Sequence, residues 1–178
     1  MKRGFDWESI IIIGAVAAVL WLSRGRAEFI TVDTNIAVSS PYSAMQIDRA
    51  LSRIGASEMV GLGAAFKKAE KESRVHAIFL TAIAVHESGM GTSRIAREKN
   101  NLFGWGAVDA TPFDSAHSFV SKEAGILHVA SRLRAMYINE WKLTTPNQIG
   151  SRYASDKQWA EKVTYWARRL QNEIAHSR

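Results

Sequence analysis

The stretch AIAVHESGMGTSRIAREKNNLFGW, Ala82 to Trp105, joins an apolar helical run to a glycine-rich turn and then to an Asn-Asn-Leu-Phe-Gly loop. One acid, Glu87, stands at the end of the apolar run. An ionised carboxylate there faces the negative end of the helix macrodipole. Beside apolar neighbours it also loses solvation, which raises its pKa and lets it hold a proton near neutral pH. That is the physical profile of a general acid. The plainer reading is a helix-end acid paired with Arg94 or Arg97 just downstream.

Outward from this stretch the pattern is helical. The run from about Val75 to Glu87 is apolar on nearly every side and belongs at the centre of a fold. Before it, Ser43 with Gln46 forms a capping box for a helix carrying Ile47, Leu51 and Ile54 on one face and stopping at Gly55. A second helix covers Leu62 to Ser73. After it, Ser93 caps a short turn, and residues 100–119, rich in Gly, Asp, Pro and Thr, predict a loop with a small hairpin. Ser121 opens a long helix to about Ile138, and Thr145-Pro146 a short one. Ser155 or Asp156 caps the last helix, which carries Trp159, Val163, Trp166 and Leu170. The fold class expected is mainly α, with a small β-hairpin lobe.

At 178 residues, 47% apolar and 22% charged, the chain holds one domain with a real core. It has no cysteine, which excludes disulfides and thiolate metal sites. The net charge of +6 favours polyanionic partners such as an anionic cell wall. The basic residues are scattered, so no nucleic-acid partner is expected.

Residues 1–26 stand apart. Lys2 and Arg3 precede an uncharged apolar run from Ile10 to Leu22, with Trp7 and Trp21 near its ends and Arg24 and Arg26 closing it. The run is short against the roughly 20 residues of a membrane span, though residues 5–23 approach that length. A signal peptide is the rival, but no small-x-small cleavage site follows. A buried soluble helix is the third reading. The favoured reading is an uncleaved N-terminal membrane anchor helix, then a linker over 27–43, then a catalytic domain over 44–178.

Other chemistries find no footing. His86-Glu87 lacks the second histidine of a zinc helix, since Met90 occupies that place. The five histidines are dispersed. No metal or cofactor is expected, and no nucleophile elbow or phosphate-cradling loop is present.

Glu87-Ser88-Gly89-Met90-Gly91-Thr92-Ser93, then Ala96, then Asn100-Asn101-Leu102-Phe103-Gly104, resembles the glucosaminidase domains of glycoside hydrolase family 73, peptidoglycan-cleaving enzymes of the lysozyme-like superfamily. A second segment, Tyr153-Ala154-Ser155-Asp156-Lys157-Gln158-Trp159-Ala160-Glu161-Lys162-Val163, resembles the family's C-terminal Tyr-Ala-Thr-Asp segment. The two lie in the family's order and cover Val75 to about Leu170. The resemblance implies a lysozyme-like helical domain that cleaves the β-1,4 bond on the reducing side of N-acetylglucosamine. It implies that Glu87 is the general acid, protonating the glycosidic oxygen. It makes Tyr153 the active-site tyrosine, although on the residues alone Tyr153 is equally a core or turn tyrosine. It places Ser88, Asn101, Phe103, Gly104 and Trp105 along the substrate cleft, with Phe103 equally a core residue.

The second catalytic group is open. Asp109 and Asp114 are the candidate carboxylates, and both are also ordinary turn residues. Glu123 starts a helix, where the macrodipole explains it. The substrate's own N-acetyl group is the third possibility. Two rival functions remain. One is a muramidase or lytic transglycosylase, although the Asn-Leu-Phe-Gly loop differs from the Gly-Leu-Met-Gln type that transglycosylases carry. The other is a catalytically silent wall-binding or virion structural protein. The expected partners are peptidoglycan glycan strands, with the membrane engaged through residues 5–23 and the catalytic domain facing the wall.

Overall fold

The computed structural model describes residues 28–176; the expected anchor helix lies outside the described residues. The fold is mainly helical. In chain order it comprises α1 (Ala44–Arg53), a 3-10 turn (Ser57–Met59), α2 (Gly63–Ser73), α3 (Ala77–Glu87) and α4 (Arg94–Glu98). Next come a single-turn α5 (Pro112–Ser115), then α6 (Lys122–Arg132), continued by a π-helical stretch (Leu133–Glu140). Helices α7 (Pro146–Tyr153) and α8 (Trp159–Ala175) complete it.

Helix α3 is the axis of the molecule. Every residue from Ala77 to Val85 is buried, as expected of a helix without a polar face. It packs mainly on α8, while α2 packs on α6 and α1 on both α2 and α8. Ser43 caps α1 with Gln46 in the predicted capping box, and Thr145 with Gln148 does the same for α7. The last helix begins later than its sequence suggests. Asp156 instead accepts from the Gln158 N–H at 2.9 Å and from Lys162 Nζ at 2.6 Å, forming a turn that delivers Trp159 into the core.

Residues 28–43, read from sequence as a linker, are packed into this fold as a strap. Ile30 and Ile36 are buried, the Ile30 N–H donates to Gln171 on α8, and Ile36 pairs with Thr144 and His76 through backbone bonds. Glu70, a buried carboxylate on α2, fixes the strap to the start of α3. It accepts from the Ser40 N–H, from Lys67 Nζ and, at 3.0 Å, from the Ala77 N–H, a free donor of the first turn of α3. Burial pushes its pKa up, but these donors outweigh that and hold it below the usual carboxylate value.

The expected β-hairpin lobe is not formed; the described residues contain no β-strand. Residues 100–119 instead make turns around α5. Backbone pairing across the loop is limited to bonds such as His117 N–H to Trp105 O and Phe119 N–H to Lys99 O, both at 2.9 Å. The reason is local. Asn100, Gly104 and Gly106 all have left-handed φ values, which break an extended ladder. The Asn101 side chain then takes up the groups that a partner strand would have paired. Its oxygen accepts from the Phe103 and Trp105 N–H groups, and its nitrogen donates to Trp105 O and His117 O. None of the described helices is long and apolar enough to cross a membrane.

Candidate active site

Glu87 is the last residue of α3 and is half-buried. The chain leaves it through three successive left-handed residues, Gly89, Met90 and Gly91. A Cβ on Gly91 would come within 2.9 Å of Glu58 and Met59, so glycine there lets the turn close onto the 3-10 segment. Ser88 is buried beneath the turn, donating to Ala84 O and accepting from the Gly91 N–H at 2.7 Å. Its hydroxyl shapes the turn and is withdrawn from the surface.

The Glu87 carboxylate accepts a hydrogen bond from the indole N–H of Trp159, 2.7 Å from Oε1. Burial raises the Glu87 pKa, and the Trp159 hydrogen bond and the charge of His86 only partly oppose this. The electrostatic profile read from the sequence is thus present, with desolvation as its leading cause. No ion pair links Glu87 to Arg94; Arg94 pairs with Glu98 at 3.1 Å, within α4.

Trp159 is buried and belongs to a row of rings. It meets Phe79 edge-on at 6.3 Å and stacks on Tyr153 at 4.7 Å. Tyr153 contacts Tyr137 at 6.0 Å, and Tyr137 contacts Trp141 at 4.9 Å. The Arg152 guanidinium lies 5.0 Å over Trp141. Tyr153 thereby stacks on the indole that donates to Glu87. Its ring is half-buried, while its hydroxyl is sealed from solvent with no hydrogen-bond partner among the described residues. Burial, then the nearby Glu87 and Tyr137, raise its pKa well above the usual phenol value. A neutral phenol beside an acid donates or accepts a proton-sharing bond without adding charge.

The other expected site residues divide by burial. Asn101 and Phe103 are interior, Asn101 spending its side chain on the four bonds described above. They build the loop and do not line its surface. Gly104 and Trp105 are partly exposed, and Trp105 meets His128 edge-on at 5.9 Å. Asp109 and Asp114 are exposed, the former in a turn and the latter in the first turn of α5. Sequence reasoning missed Trp159, Tyr137 and Trp141 as site residues. Trp159 carried a signal, since it lies in the motif segment six residues after Tyr153, at the buried start of α8.

Two Streptococcus pneumoniae proteins, from strains TIGR4 and R6 and named endo-beta-N-acetylglucosaminidase, are each 37% identical over 127 residues, 68% of this chain. The chain spans only about a fifth of their length, 19% and 18%. Among solved structures, a catalytic mutant of Staphylococcus aureus autolysin E, in complex with the disaccharide NAG-NAM, superposes with a TM-score of 0.67 at 23% identity, covering 84% of this chain and 76% of that one. The same autolysin in complex with the muropeptide NAM-L-Ala-D-iGlu gives 0.68 at 25% identity, covering 82% and 74%. The fold is therefore the lysozyme-like one that the motifs implied. The family model described as mannosyl-glycoprotein endo-beta-N-acetylglucosaminidase, the glucosaminidase domain, matches residues 63–172. With Glu87, the Asn-Asn-Leu-Phe-Gly loop and the Tyr153 segment all inside that span, the chain belongs to the glucosaminidase family of glycoside hydrolases.

Proposed function

We propose that the chain is a peptidoglycan hydrolase that cleaves the β-1,4 bond on the reducing side of N-acetylglucosamine, with Glu87 as the general acid. The observation that carries this is the Glu87 carboxylate, desolvated at the end of α3 and held at one oxygen by Trp159. With Oε1 occupied by the indole, Oε2 is the oxygen free to carry the proton. A carboxylic acid of raised pKa protonates the departing glycosidic oxygen as the sugar takes on oxocarbenium character. Tyr153, stacked on the same indole, positions the acid and the scissile sugar. Trp105 and Gly104 are the substrate-facing part of the loop that Asn101 ties down. Asp109 and Asp114 are the candidates for the second carboxylate. Their exposure on the loop supports neither over the substrate's own N-acetyl oxygen.

The autolysin complexes with NAG-NAM and a muropeptide support peptidoglycan as the substrate class. The apolar run within residues 5–23, flanked by tryptophan and basic residues, supports a membrane tether for a domain working on the wall. Vesicle flotation of the full chain tests that part: a chain that does not float with anionic vesicles is untethered.

Digestion of purified peptidoglycan, borohydride reduction and mass spectrometry of the new ends test the bond. Reduced N-acetylglucosamine ends are expected. Muramic-acid ends, reduced or 1,6-anhydro, assign the chain to muramidase or transglycosylase chemistry, and no new ends leave wall binding.

A further inference from the structure

A groove of about 560 Å³ lies beside the Glu87–Trp159 pair, and no role assigned above uses it. Its walls are His86 on α3, Gln158 at the N-cap of α8, and Glu161, Lys162, Tyr165 and Trp166 on α8. His86 immediately precedes Glu87, and Gln158 immediately precedes Trp159. Both walls therefore begin one residue from the hydrogen-bonded pair. From the Gln158 cap the four α8 positions follow at i+3, i+4, i+7 and i+8, which is one face of the helix. At 1.5 Å per residue that face runs about 12 Å from the acid's partner.

The far end of the groove is an aromatic corner. Tyr165 and Trp166 meet edge to face at 5.4 Å and 73°. Trp166 rests partly on the core, whereas Tyr165 is 51% exposed. Arg169 braces both, its guanidinium 5.5 Å over the Trp166 ring and its Nη1 3.4 Å from the Tyr165 hydroxyl. Rings held this way lose little freedom when a ligand binds. The near end is polar, with the Gln158 carboxamide and the Lys162–Asp156 ion pair at 2.6 Å. An apolar ring face at one end and hydrogen-bonding groups along the edge suit a pyranose, whose C–H faces are apolar and whose edges carry hydroxyl and acetamido groups. A solvated helix face carries isolated apolar residues; here two braced rings sit together on the wall of a groove that starts at the neighbours of Glu87 and Trp159.

We propose that this groove is a further saccharide subsite, holding a pyranose unit of the glycan strand beyond the bond that Glu87 addresses. The proposal rests on the hydrolase reading above and adds a dependence of binding on strand length.

The test is calorimetric binding of peptide-free disaccharide and tetrasaccharide from peptidoglycan to the full chain carrying Glu87→Gln. The tetrasaccharide is expected to bind more tightly than the disaccharide. Tyr165→Ala in that background removes at least about fivefold of the tetrasaccharide affinity and leaves the disaccharide unchanged, while Tyr165→Phe retains both. Equal tetrasaccharide affinity with and without the Tyr165 ring overturns the subsite, provided that the wild-type chain cleaves peptidoglycan. Loss confined to peptide-bearing fragments also overturns it and assigns the groove to the stem peptide. If no glycan of either length binds and the wild-type chain releases no new ends, the hydrolase reading falls and the subsite with it.

Discussion

Trp159 and Glu87 are 72 positions apart in sequence, and the indole nitrogen of one lies 2.7 Å from a carboxylate oxygen of the other. The bond favours the ionised carboxylate, so it moderates the rise in pKa that burial imposes. Trp159→Phe keeps the ring and deletes the donor. The Glu87 pKa then rises further, and the alkaline limb of the activity profile, where the acid loses its proton, moves to higher pH. The side chain also loses its orientation, and kcat is expected to fall roughly ten- to hundredfold. Profiles of kcat/KM against pH for the two proteins check both effects; an unshifted limb separates Trp159 from the acid.

Glu87→Gln gives opposite results for activity and stability. Loss of the acid costs about 10²- to 10⁴-fold in rate. Glutamine still offers an oxygen to the Trp159 indole, and it removes a charge that burial disfavours. Because the folded-state pKa of Glu87 is raised, the native protein binds the proton more tightly than the unfolded chain. Its contribution to stability is therefore greatest at low pH and declines as pH rises through the folded pKa. The variant is expected to melt at or above the wild-type temperature at pH 7, with the difference vanishing below about pH 4. Thermal melts across that range decide it.

Gly150 on α7 lies against Trp159. A Cβ there would stand 2.8 Å from Trp159 Cε3, an atom of a rigid buried ring. Gly150→Ala must push the indole and with it the Glu87 bond. Expected are a loss of about 1–3 kcal/mol in stability and a fall in kcat out of proportion to that loss. Urea unfolding beside steady-state kinetics measures the pair.

His76, at the start of α3, is buried, and its Nδ1 has no hydrogen-bond partner among the described residues. Burial, the larger influence, depresses its pKa to about 4, with Glu70 opposing the drop. The unfolded chain therefore binds this proton more tightly than the native state between pH 6.5 and about 4. Its contribution is fully present above pH 6.5 and is lost as pH falls across that window. His76→Gln is expected to flatten the dependence of stability on pH there. An unchanged slope in chemical unfolding series would place the acid sensitivity elsewhere.

The helical frame was legible because its signals are local. The Ser43/Gln46 box, the Thr145-Pro146 start and the unbroken apolar run of α3 each act within a few residues. Glu87 and Tyr153 were singled out by two short motifs, and in the fold both meet the Trp159 indole. The failures involve long-range partners. Nothing near Asn101 announces that its amide will satisfy the backbone of Trp105 and His117, so the loop read as a hairpin. Nothing near Ile30 and Ile36 shows that Gln171, Thr144 and His76 will receive that segment. Trp159 looked like one more apolar residue of an amphipathic helix, because its bond to Glu87 depends on how α3 and α8 are juxtaposed.

The strap and the acid occupy opposite ends of that antiparallel pair. Ile30 is fastened to Gln171, late in α8, whereas Glu87 is fastened to Trp159 at its first turn. An offset of twelve residues puts about 18 Å of helix between the two attachments. A pull on the chain at Glu28 is thus borne by the strap and the rear of α8. Glu87 is fastened at the other end of that helix, so a load entering at Glu28 reaches the Glu87–Trp159 bond only through the length of α8.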